Sequence, residues 1–445
     1  MCGRVDEDVS TINEVTKIMA KGLLLGAGFS VDLGMPLASE FSDTLFSFFH
    51  SRKMIYLINN MRGHRPYSND RTLCDETLDK FIEIYNEFLN SNNKNYEQLF
   101  KIIENLSLFS GVEQETRNYF LRWLRDIINE LFLIYQRETY VYYLLNRDKY
   151  KWFLDEFSKD ELWIFTLNHD ILVEMLCLDY NVPLREGYSY TVQIPQSNLE
   201  LKNVFEFGCV DATEKDVNNL HYLTKSKGIN ILKIHGGLNE YFQGDEKSGR
   251  YRLFFSTNNC RNSLEYLNKL EQFIHEPHYY INGCKPNIGG EICVSNFDGI
   301  MQFMKPSILT GSKKYHTTLS NHQHEEKIEL FSSGLEKIDE LYIIGYSFGD
   351  KHINHRISHA MHLNDKLKVT IVNPTYAKQE IFEPFDYNMR VRYCHTTFPI
   401  WADYEKKGEW DLDFRRKIEE MTSNVRKPMI EAIKENLLKS SKQNK

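Results

Sequence analysis

No two of the eight cysteines are spaced as C-x-x-C, so the chain has no visible ligand set for a zinc ribbon. Long apolar runs are also lacking. Nothing approaches the roughly 18 residues that a bilayer span requires. Met1-Cys2-Gly3-Arg4 leads into an acidic stretch rather than the apolar core of a secretory signal. Basic residues are in deficit, with 54 Lys and Arg against 62 Asp and Glu and a formal net charge of -8. That balance disfavours direct binding to nucleic acid, which needs clustered Lys and Arg. Unpaired thiols and the missing leader together predict a cytoplasmic protein without a membrane anchor. There is no internal repeat and no low-complexity linker. His322-Gln323-His324 has no carboxylate or thiolate at regular spacing beside it, so no metal is expected.

What is present is an ordinary globular composition, 42% apolar and 26% charged over 445 residues. Residues 1–18 read as a polar lead-in. Five short apolar runs follow at long intervals: Lys21–Leu25, Leu162–Thr166, Asn230–Ile234, Leu341–Ile344 and Lys368–Val372. Each ends in small or polar residues, as buried strands of a parallel sheet covered on both faces do. Glu40–Phe49 reads as a helix, and 75–157 carries apolar residues at helical spacing, among them Phe120, Leu121, Trp123, Leu124, Ile127, Ile128, Leu131 and Phe132. Those aromatics are expected to be packing. Residues 240–330, mixing Gly, Asn, His and Lys, read as loops and short helices, and Asp411–Lys439 as helix interrupted near Pro428.

These elements predict an α/β chain with a doubly wound, parallel, Rossmann-like sheet, a helical insertion and C-terminal helices. The main α/β domain would run over 19–400, with a helical insertion at about 50–157 and an irregular one at about 240–330; a C-terminal helical extension would occupy 401–445.

The sharpest local signal is Gly26-Ala27-Gly28-Phe29-Ser30 directly after the first strand. Glycines there let backbone approach a pyrophosphate. The usual dinucleotide fingerprint would place a third glycine where Val31 stands, which tells against an ordinary dehydrogenase. Asn168 and His235 each follow a strand. Taken singly, an Asn there is usually a turn residue, and a lone His is usually structural. Asp350 reads as a helix cap.

The continuation through Gly34-Met35-Pro36 closely resembles the opening motif of the sirtuin family, GAG-x-S-x-x-x-G-x-P. Thr166-Leu167-Asn168-His169-Asp170, Lys233-Ile234-His235-Gly236, Ile344-Gly345-Tyr346-Ser347 and Val372-Asn373 resemble later blocks of that family, in its order. The resemblance implies an NAD site with Asn168 and His235 as the catalytic pair. Gly26, Ala27, Gly28, Phe29, Ser30, Asp170, Gly345, Ser347 and Asn373 would contact the cofactor, Ser30 and Ser347 donating to phosphate and Asn373 meeting the adenosine ribose. Two departures stand out: the zinc ribbon is absent, and Leu37-Ala38-Ser39 replaces the family's acidic-aromatic-basic segment. In both respects the chain is similar to the bacterial anti-phage branch, whose members hydrolyse NAD to nicotinamide and ADP-ribose. That likeness implies a homo-oligomer and an activating partner from a defence operon, such as a HerA-type ATPase, an Argonaute or another sensor. An NAD-dependent deacylase or ADP-ribosyltransferase is the alternative, and a module that senses NAD or ADP-ribose without cleaving it is a third reading.

Overall fold

Leu23, Leu24 and Leu25 are completely buried, and alternate residues of their strand face opposite cores. This is how a strand covered on both faces behaves. The computed structural model describes residues 20–63, 72–91, 94–197, 200–243, 251–275, 292–295, 301–308, 325–375 and 379–443. The polar lead-in and the His322-Gln323-His324 cluster lie outside the described residues.

The chain opens with β1 (Lys21–Leu25) and α1 (Ala27–Val31), then runs through seven helices: α2 (Ala38–Phe48), α3 (Ser51–Met61), α4 (Asp75–Leu89), α5 (Tyr96–Glu104), α6 (Gly111–Glu138), α7 (Tyr140–Asn146) and α8 (Asp148–Phe157). Next come β2 (Glu161–Thr166), α9 (Leu172–Tyr180), β3 (Leu184–Arg185), β4 (Tyr190–Ser197), β5 (Glu200–Asp211), β6 (Gly228–Lys233), β7 (Glu240–Gln243), β8 (Tyr251–Phe255), α10 (Ser263–His275), β9 (Ile292–Ser295) and β10 (Met301–Pro306). The last third holds α11 (Glu325–Leu335), β11 (Glu340–Ile344), α12 (Lys351–Leu363), β12 (Lys368–Val372), α13 (Glu383–Asp386), β13 (Val391–Cys394), α14 (Phe398–Lys407), α15 (Leu412–Met421) and α16 (Lys427–Gln443).

Seven strands form an all-parallel sheet in the order β13-β12-β11-β1-β2-β6-β3. Leu23, Leu25 and Ile164 join a core with Phe153, Leu176 and Trp401 on one face. Leu24, Trp163 and Phe165 join Phe331, Ile353 and Ile357 of α11 and α12 on the other. The fold is therefore the Rossmann-like α/β architecture that the five apolar runs predict. No helix among the described residues is long and apolar enough to cross a membrane.

The expectation of loops and short helices over 240–330 is corrected for the described residues. Four strands, β7 to β10, lie there in a second, six-stranded antiparallel sheet whose order is β4-β5-β8-β7-β10-β9. These strands are short, and their pattern is broken by charges that turn out to be buried. Lys327 meets Glu240 at 2.6 Å, both wholly enclosed. Buried Arg252 lies within 4.0 Å of Glu326. Enclosed ion pairs of this kind make a strand look like a polar loop in sequence.

The helical insertion begins its longest member with a capping box. Ser110 Oγ accepts from Glu113 N at 3.1 Å, and Glu113 accepts from Ser110 N at 2.9 Å. Near Pro428 the expected interruption is a π-helical turn at Thr422–Arg426. Proline lacks an N–H and its ring collides with the carbonyl four residues back, so the preceding turn widens.

The C-terminal extension is part of the main core. Trp401 is completely buried, with its ring 5.4 Å from Tyr342 of β11 and near Phe157 and Phe398. Trp401→Ala should lower unfolding stability by about 3–5 kcal/mol. Denaturant titration reads this directly, and a loss under about 1 kcal/mol would show that α14 is peripheral.

Candidate active site

The registers of the parallel sheet bring the strand ends into one row. Leu25 pairs with Thr166 and Ile344, Thr166 with Lys233, Ile344 with Val372, and Val372 with Cys394. The residues that follow, Gly26, Asn168, His235, Gly345 and Asn373, therefore share the carboxyl edge. Strand order reverses between β1 and β11, and open α/β sheets bind ligands in the crevice at such a point. A cavity of about 1030 Å³ opens there, lined by Gly26, Ala27, Gly28, Ser30, Asn168, Asp170, His235, Gly345, Ser347 and Asn373. Pockets that enclose cofactor-sized ligands are typically ~300–1,000 Å³.

Phe29 is the exception among the expected contacts. Its ring is buried away from the cavity, 5.4 Å from Tyr150 and 5.1 Å from Phe398, so it anchors the turn to the core. The glycines also serve a purpose that sequence did not suggest. Gly26 N donates to Ile344 O and Gly28 N to Gly345 O, each at 2.9 Å. A Cβ on Gly28 would sit 2.7 Å from Gly345 Cα, and one on Gly345 would sit 2.5 Å from Gly28 Cα. Gly345 also has φ +63, a left-handed conformation that other residues resist. Two strand-end turns pack glycine on glycine, leaving the floor of the crevice free of side chains.

Asn168 is locked by the first motif. Its Nδ2 donates to Gly26 O and to Ser30 Oγ, both at 2.9 Å. A backbone carbonyl can only accept, so the amide nitrogen must face it, and Oδ1 is left for an incoming hydroxyl or water. The Ser30 hydroxyl in turn donates to Asp170 Oδ2 at 2.7 Å. Its proton is thus directed at the Asp170 carboxylate. Asp170 Oδ1 accepts from Leu172 N at 3.1 Å, so the residue also caps the start of α9. Burial pushes its pKa above the ordinary carboxylate value, opposed by Lys233 and by the Ser30 hydrogen bond. Lys233 Nζ donates to Asp170 O and pairs with buried Glu174 at 2.8 Å, bracing the loop from below.

His235 is buried at the mouth of β6, and its Nε2 lies 3.3 Å from Asp350 Oδ2. Asp350 also caps α12, accepting from His352 N at 3.1 Å. The residue that sequence reads as a simple cap is therefore a partner of the imidazole as well. Its cap role is all that Asp350 shows in sequence, because its pairing with His235 spans 115 positions and exists only after folding. His169 lines the cavity too, with Nδ1 3.3 Å from Gly236 O. Phe132, expected as packing alone, stacks on Phe41 at 4.3 Å and forms part of the cavity wall. Helix α5 of the insertion adds Tyr96, Glu97, Gln98 and Lys101 to the lining. Asn373 reaches the edge as expected, but its side chain is engaged internally. Nδ2 donates to Tyr346 O and Oδ1 accepts from Thr375 N, both at 3.0 Å.

Asp32, just beyond the glycine turn, has its pKa raised by burial from 3.8 to about 6, against the attraction of Arg426 and Lys149. The folded chain holds this proton more tightly than the unfolded one. Stability is therefore full below about pH 4 and is lost as pH rises through 6. Relative to wild type, Asp32→Asn should gain about 3 kcal/mol of stability between pH 4 and pH 8. Parallel stability curves for the two proteins across that range would refute the assignment.

No protein-family model and no curated protein sequence matches the chain.

Proposed function

We propose that this chain is an NAD glycohydrolase that cleaves the nicotinamide–ribose bond to give nicotinamide and ADP-ribose. The observation that carries the reading is the meeting of a glycine turn, a fixed asparagine and a histidine–aspartate pair in one cavity at the sheet's switch point. Nicotinamide departs from NAD as a neutral base, so the leaving group needs no acid. The transition state resembles an oxocarbenium ion, as in other glycosyl cleavages. The protein must hold the ribose, limit bulk water and position one acceptor. Asn168 Oδ1 accepts from a ribose hydroxyl or from the attacking water. His235 takes the proton of the attacking water as its oxygen bonds to the ribose carbon that nicotinamide leaves, and Asp350 supplies the counter-charge to the imidazolium.

The resemblance to the sirtuin-like anti-phage branch supports a role in depleting cellular NAD during defence. It also supports a cytoplasmic homo-oligomer with a sensor partner. Incubation with NAD, alone and with a candidate activator, tests the reaction by chromatography of nicotinamide and ADP-ribose. Product that appears only when an acceptor or acylated protein is added would point to transfer or deacylation instead. The alternative is a module that holds the dinucleotide without cleaving it. Tight binding with no product, activator included, would select that one.

A further inference from the structure

The segment between α1 and α2 and the first turn of α2 form one wall of the cavity, through Met35, Pro36 and Leu37 and through Ala38 and Ser39. That segment is too short and irregular to hold itself. Gly34 sits at φ +110, Pro36 offers no N–H, and the local hydrogen bonds run back only to Ser30 and Val31. Its shape is set from the far end of the sequence. Arg426, with its side chain 2% exposed, donates through Nε to Val31 O at 3.0 Å and through Nη2 to Met35 O at 2.7 Å. The same guanidinium grips Glu40, Nη1 to Oε1 at 2.9 Å and Nη2 to Oε2 at 2.6 Å. Glu40 Oε2 also accepts from Leu37 N at 2.8 Å, closing a ring around the wall. The π-helical turn before Pro428 ends at Arg426. Lys434 of α16 pairs with Asp43 one layer further out, so the C-terminal extension is tied to α2 twice.

We infer that Arg426 is a positioning residue for the cavity: the C-terminal extension completes the site by fixing the wall segment Val31–Glu40. The planar fork is what makes this possible. Four N–H groups on three nitrogens reach two carbonyls and both oxygens of one carboxylate, a span that the single ammonium of lysine cannot match. Arg426 does not line the cavity and touches no reacting atom. Its effect on chemistry is through the wall alone.

The kinetic part of the test rests on the proposed NAD cleavage; the exchange part does not. Amide hydrogen exchange and steady-state kinetics are measured on the full chain and on Arg426→Ala and Arg426→Lys, well below their thermal midpoints. The expected result is exchange over residues 31–40 at least about tenfold faster in both variants, with β1 and β2 amides unchanged. KM for NAD should rise about tenfold with kcat changing less than twofold, the pattern of a lost binding geometry. If Arg426→Ala fails to fold, Arg426→Lys carries the same expectation. Unchanged exchange over 31–40, or equal acceleration in β1 and β2, overturns the assignment, since the latter marks a merely structural ion pair. If wild type shows no NAD turnover with any activator, the proposed reaction fails, and the exchange result still decides the role of Arg426.

Discussion

His235→Ala should lower kcat for NAD cleavage by about 10²–10⁴-fold, the range lost when a positioned general base is removed. Asn168→Ala should fall in the same range for a different reason. Removing the amide frees Gly26 O and Ser30 Oγ together and leaves the ribose oxygen without its acceptor. Asn168→Asp separates these effects. It keeps the shape but sets a carboxylate oxygen against a backbone carbonyl, so the side chain must turn away and rescue should fail. Asp350→Asn should cost less, about tenfold, because the imidazole remains and only its counter-charge is weakened. Wild-type kcat in Asn168→Ala or His235→Ala would remove the assigned roles.

Gly345→Ala should cost about 2–5 kcal/mol of stability and abolish nucleotide binding. The new Cβ would lie 2.5 Å from backbone atoms of Gly28 and Phe29, and the residue would be held at φ +63. Neither neighbour is the yielding end of a side chain, so the two strand-end turns must separate and the crevice floor with them. Gly349→Ala, four residues on, is the control. Its Cβ would meet only Ser347 Oγ, at 3.8 Å, and its stability should change by less than about 1 kcal/mol. Equal effects of the two substitutions, read by thermal melts and calorimetric titration, would show that close packing of the turns does not shape the site.

The parallel sheet was legible because its central strands are apolar runs that end in small or polar residues. Burial on both faces leaves such a pattern with nothing to compete with it. The second sheet was not legible. Glu240 and Arg252 interrupt its strands, and their partners Lys327 and Glu326 lie more than 70 positions away in sequence. Asn168 and His235 could be singled out because the blocks that hold them resemble sirtuin motifs, in order, at strand ends; position alone reads as a turn residue and a structural histidine. Arg426 gave no such hint, standing in a charged helical stretch where arginine is expected on the surface. Phe29 shows the opposite failure, a residue inside a binding motif whose side chain faces the core.

Single-turnover cleavage of NAD in ¹⁸O-labelled water, with activator where one is required, tests the central claim most directly. Wild type should release nicotinamide and place one labelled oxygen on the ribose of ADP-ribose, and Asn168→Ala and His235→Ala should do neither at a comparable rate. Intact NAD recovered from saturated wild-type protein, or label incorporated equally fast by both variants, would contradict it.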